Sequence, residues 1–79
     1  MSESRELLFL RDLCNLLKDL AIRAKKEADA ASSEDRSFAL GRLMGLHEVI
    51  SLVQQQSEVF GIDLKDIGLD DITPEKDLL

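Results

Sequence analysis

Apolar residues recur through residues 1–60 with the period of a helix. In the first half Leu10, Leu17 and Ala24 stand seven apart, and Leu13 and Leu20 follow three behind. Leu7, Cys14 and Ala21 run along one flank of that seam, and Phe9 and Leu16 along the other. With the first of these sets at position a of a heptad, the second falls at d, and the flanks fall at e and g. Extending the frame beyond residue 31 would put Gly41, Glu48 and Gln55 at d, so one continuous helix is excluded. A new frame fits the second half, with Leu43 and Ile50 at a and Ala39, Leu46, Val53 and Phe60 at d.

The slip between the frames falls at AASSEDR. Ser32 with Asp35 three residues on resembles a capping box, Ser33 is the other candidate cap, and Glu34 and Asp35 suit the positive end of a new helix. Residues 1–60 contain no proline, and glycine only at 41 and 45, so nothing there forbids long helices. The pattern predicts helix 1 over about 4–30 and helix 2 over about 34–60. Two nearly equal helices joined by a short turn form an antiparallel hairpin.

The apolar stripe on each helix is wide, roughly 160°, because Phe38, Leu52 and Val59 at c and Val49 at g extend the second seam as Phe9 and Leu16 extend the first. One neighbouring helix covers about 100°. The expected fold is therefore all-α, a helical hairpin over 1–61 that dimerises into a four-helix bundle. Its core and dimer-packing residues are expected to be Leu10, Leu13, Leu17, Leu20, Leu43, Gly45, Leu46, Ile50, Val53 and Phe60.

Residues 62–79 form a tail with its own punctuation. Gly61 suits a left-handed helix cap, with Ile62 folding back behind it. DLKDI suits a helical turn ended by Gly68, and Thr73-Pro74 opens a last turn. Ile62, Leu64, Ile67, Leu69, Ile72, Leu78 and Leu79 are too many large apolar residues for a solvated tail. They are expected to rest on the bundle, in cis or in trans, or on a partner. Ile62, Leu64, Ile67, Leu69, Asp70, Asp71 and Ile72 are the candidate partner-binding residues.

Length sharpens the expectation of a dimer, since 79 residues make a marginal monomer and one cysteine with one histidine offers neither a disulfide nor a structural metal. Cys14 within LRDLCNLLKDL suits a reducing compartment. No apolar run exceeds four residues, and no secretory leader is evident, so a cytoplasmic protein is expected. The net charge of −6 argues against general affinity for phosphate backbones. The tail carries much of it, five Asp and one Glu against two Lys.

Candidate chemistry is sparse. DIGLDD resembles the acyl-carrier-protein signature over about six residues, but Asp71 stands where that signature places its modified serine, and the stretch reads as a turn at Gly68. His47 at e has no second histidine, and Met44 occupies the position three before it, so a structural histidine is expected. Gly41 and Gly45 form a small-xxx-small pair. Gly45, between Phe38 and Leu52, is expected to mark a close helix crossing, and Gly41 to be tolerated or to receive the tail. Cys14 is expected to be a buried thiol, and Arg23, Lys25 and Lys26 to offset the helix dipole.

No catalytic set, cofactor or metal is expected. The architecture resembles the plasmid RNA-regulating four-helix bundle, although no motif of that family is present. The functional expectation is a non-enzymatic protein-protein interaction module, an adaptor, regulator, chaperone or immunity-type protein, binding itself and another protein. The alternative is an acidic mimic of nucleic acid, with Asp63, Asp66, Asp70, Asp71, Glu75 and Asp77 as its carboxylate array.

Overall fold

The computed structural model of the chain describes residues 3–79. Helix α1 spans Arg5–Ala30 and α2 spans Arg36–Val59, antiparallel and joined by a short turn. A 3₁₀ turn, Leu64–Ile67, and a single-turn helix α3, Pro74–Asp77, complete the chain. Every regular element among the described residues is helical.

Capping explains the start of α1: Ser4 Oγ accepts a hydrogen bond from the Leu7 amide at 3.1 Å, and Glu6 sits in the first turn, where the dipole favours an anion. The start of α2 differs from expectation. Neither Ser32 nor Ser33 caps it, and Asp35 holds the N-cap position in a helical conformation without a capping bond from its side chain to the helix backbone. Ser32 Oγ instead donates to Asp35 Oδ2 at 3.2 Å, while the Asp35 amide donates to the Ser32 carbonyl at 3.1 Å. The two residues close the turn on each other, which consumes the groups a capping box would use.

The end of α2 is a Schellman motif. Gly61 takes φ +67°, the Ile62 amide donates to the Ser57 carbonyl at 2.8 Å, and the Gly61 amide donates to Glu58 at 3.1 Å. This reversal sends the tail back along the hairpin.

On α1 the buried line is made of small residues, Cys14, Ala21, Ala24 and Ala28, with Leu7, Leu10 and Leu17 partly buried beside it. The seam therefore runs along a and e of the first frame. Leu13 at d is left 39 % exposed, and Phe9 and Leu16 at g are more exposed still. Small side chains at e let a second layer approach α1 closely, and the tail occupies that position. From α2 the core takes Ala39, Leu43 and Ile50, with Leu46 and Val53 partly buried.

The tail supplies Ile67, Leu69, Ile72, Pro74 and Leu78, all buried. Each large aliphatic side chain removed from water contributes about 1.5–3 kcal/mol, and a small domain has only about 5–15 kcal/mol of net stability. The tail is thus part of the core.

Candidate interaction surface

Three cations on α1 at seven-residue spacing hold the tail. Arg11 Nε donates to the Asp66 carbonyl at 3.0 Å, Lys18 Nζ to the Gly68 carbonyl at 2.8 Å, and Lys25 Nζ to the Leu79 carbonyl at 3.3 Å. Lys18 also bonds Asp71 Oδ1 at 2.9 Å, and that contact holds the Asp71 carboxyl below the usual carboxylate range. Arg11 is further paired with Glu3. From α2, the Gln54 amide donates to the carbonyls of Leu69 and Ile72 at 3.1 and 2.9 Å. A segment with little regular structure must satisfy its carbonyls somewhere, and here they are satisfied by long side chains on the helices.

Inside the tail, Asp63 Oδ1 accepts from the Lys65 amide at 3.0 Å and caps the 3₁₀ turn. Gly68 ends that turn at φ +75°. Thr73 makes no side-chain cap, and its amide donates instead to Asp77 Oδ2 at 2.7 Å. Of the six carboxylates considered as an array, Asp63, Asp71 and Asp77 are thus engaged in folding the tail.

The candidate partner-binding residues separate into two groups. Ile67, Leu69 and Ile72 are buried against the hairpin, and Ile62 and Leu64 are partly buried, whereas Asp70 and Asp71 remain exposed. Lys25, expected to serve the helix dipole, is spent on Asp29 at 3.2 Å and on the tail. Gly41 does not receive the tail, and Gly45 is not a crossing point within the hairpin, because a Cβ at either would meet no atom within 4 Å. The tail's close approach is at Gly68, where a Cβ would lie 2.6 Å from Asn15 Oδ1.

Opposite the tail lies an uncovered apolar face. Leu16 and Lys18, two residues apart, point about 200° apart round α1, as Leu52 and Gln54 do round α2. Lys18 and Gln54 bind the tail, so Leu16 and Leu52 face away from it. Their neighbours at helical spacing are the most exposed of the large apolar residues: Phe38 at 79 %, Val59 at 75 %, Phe60 at 71 % and Phe9 at 68 %. Leu10, Leu52, Val53 and Phe60, with Ile62 from the start of the tail, line a shallow groove of about 320 Å³ between the two helices. Glu27 and Arg42, which enter the face near the turn, pair at 2.5 Å and neutralise each other.

Eight large side chains, Phe9, Leu13 and Leu16 of α1 with Phe38, Val49, Leu52 and Val59 of α2 and its C-cap Phe60, are each at least 39 % exposed. At about 100 Å² each they present roughly 800 Å², about one side of a standard protein interface and more than soluble monomers usually leave open. Of the residues expected to pack the core or a dimer, Leu43 and Ile50 are buried, and Leu10, Leu17, Leu20, Leu46 and Val53 are partly buried. Leu13, Gly45 and Phe60 lie on this open face.

Polar candidates are few. His47 is half-buried, and its Nε2 and the Oγ of Ser51 one turn later have no hydrogen-bond partner within the chain. Ser51 borders a polar cleft of about 240 Å³ with Gln54, Gln55, Glu58, Leu64 and Glu75. Among the described residues no group of three or more His, Cys, Asp or Glu is placed to hold a metal ion, and no helix is long and apolar enough to cross a membrane. No protein-family model, curated protein or solved structure matches this chain.

Proposed function

We propose that the protein is a small non-enzymatic protein-protein interaction module of the adaptor, regulator, chaperone or immunity type. It works as a homodimer in which two hairpins form a four-helix bundle and present a composite surface to another protein. The observation that carries this reading is the apolar face opposite the tail. The tail covers one flank of the two wide stripes and leaves the other open, so the number of apolar residues exceeds what one copy can bury. A second hairpin laid on that face would complete the layer and bring Leu13, Phe60 and Val49 into a shared core.

The acidic-mimic reading has less support, since Asp63, Asp71 and Asp77 are committed to hydrogen bonds within the tail and with Lys18. Sedimentation equilibrium across a concentration series tests the main reading. A dimer at micromolar concentration is expected, and a chain that stays monomeric at about 100 µM would overturn it, because burying an apolar face of roughly 800 Å² per copy belongs to stable interfaces.

A further inference from the structure

We propose that two copies pair with α2 antiparallel to α2 of the second copy, so that Leu52 of each fills the notch at Gly45 of the other. This rests on the homodimeric reading above and adds its geometry. Phe38, Gly45, Leu52 and Val59 stand at seven-residue intervals on the open face, and the three large ones are between 61 % and 79 % exposed. Two glycines in the interior of a helix are unfavourable relative to alanine, and nothing in the hairpin requires them. Neither has a positive φ, and a Cβ at either would meet open space. The room they leave is usable only by something outside the chain.

A second copy uses that room reciprocally. In a two-fold interface each residue i meets a residue j, and j meets i. Turning this stripe end for end pairs Phe38 with Val59 and Gly45 with Leu52, each twice. The two-fold axis falls between Glu48 and Val49, near the middle of the 24-residue helix. Large side chains then meet at the ends, and a leucine enters a glycine notch on each side of the centre. Phe9 and Leu16 of α1 flank the contact and extend the area toward the roughly 800 Å² per copy that a stable dimer needs.

Engineered cysteines test the register in a Cys14→Ala background, which removes the native thiol. Gly45→Cys and Leu52→Cys chains are mixed and mildly oxidised. A mixed disulfide-linked dimer is expected to dominate over the two self-linked products. Either chain alone would hold its two thiols about 10 Å apart along the helices, beyond the roughly 7 Å between Cα atoms that a disulfide spans. Gly45→Leu is the second variant: the single chain has room for it, so far-UV helicity is expected to hold while dimerisation weakens at least tenfold. If the parent sediments as a dimer but no mixed product dominates, or if Gly45→Leu dimerises as tightly as the parent, this geometry is overturned and the homodimer stands. A monomeric parent would remove both.

Discussion

Lys18 places its ammonium 2.8 Å from the Gly68 carbonyl, fifty residues away in sequence. The same nitrogen reaches Asp71, and its side chain is only 18 % exposed against 67 % for Asp71. The carbonyl bond, the less hydrated of the two, should carry more of the stability, because exposed ion pairs contribute little.

Lys18→Met, which keeps the aliphatic stem, is therefore expected to destabilise the fold by about 1–2 kcal/mol. Asp71→Asn should cost about 0.5 kcal/mol or less. Thermal unfolding of both variants checks this, with shifts of about 4–8 °C per kcal/mol for a chain of this size. Equal losses from the two would show that the carbonyl contact contributes nothing of its own.

Acidification separates the same two contacts. Lys18 holds the Asp71 carboxyl below its ordinary value, so the folded state binds the proton less readily than the unfolded chain. The resulting stabilisation is fully present above the unfolded carboxylate value of about 3.9 and is lost as pH falls through the lower folded value. Parent and Asp71→Asn should differ most above about pH 5 and converge only once the pH has fallen below the lowered folded value of Asp71. Urea unfolding at a series of pH values measures the difference, and a gap that widens on acidification would reverse the sign argued here.

The two long helices were legible in the sequence because their apolar periodicity is strong and the heptad frame breaks once, at AASSEDR. The left-handed Gly61 and the turn ended by Gly68 were legible for a similar reason, since each glycine stands between apolar residues of two separate elements. That the tail's apolar residues need a surface was legible too, but where the tail docks was not, because it depends on which flank of a wide stripe the chain returns along. A signal was present in Arg11, Lys18 and Lys25, at seven-residue spacing beside the small line Cys14, Ala21 and Ala28. Seven-residue spacing of cations is also common on solvated helix faces, so the pattern alone does not distinguish a ladder for carbonyls from a wet surface. The seam on α1 shifted from a and d to a and e for a related reason: alanine and cysteine look like weak core positions until a second layer is seen to need the space.

Gly68 should resist substitution for two separable reasons. Its φ of +75° is strained for any residue with a Cβ, and that Cβ would meet Asn15 Oδ1 at 2.6 Å. Left-handed backbone costs roughly 1–2 kcal/mol for an ordinary residue, while the amide end of Asn15 can swing aside. Gly68→Ala is expected to lose about 1–2 kcal/mol, and Asn15→Ala in the same chain should restore only a minor part. Full recovery in the double variant would assign the whole effect to the Asn15 contact.

Cys14 reports on whether this docking persists in solution. It is 1 % exposed, and burial pushes its thiol up from the ordinary value, which lowers the reactive thiolate fraction. Labelling by an aromatic disulfide reagent at pH 8 is expected to be slow in the native protein and to rise with urea in parallel with unfolding. Lys18→Met and Gly68→Ala should accelerate labelling under native conditions, because Cys14 lies on the α1 face toward which the tail packs. Rapid, urea-independent labelling of the parent would mean that the thiol is open in solution and that the tail does not cover this face.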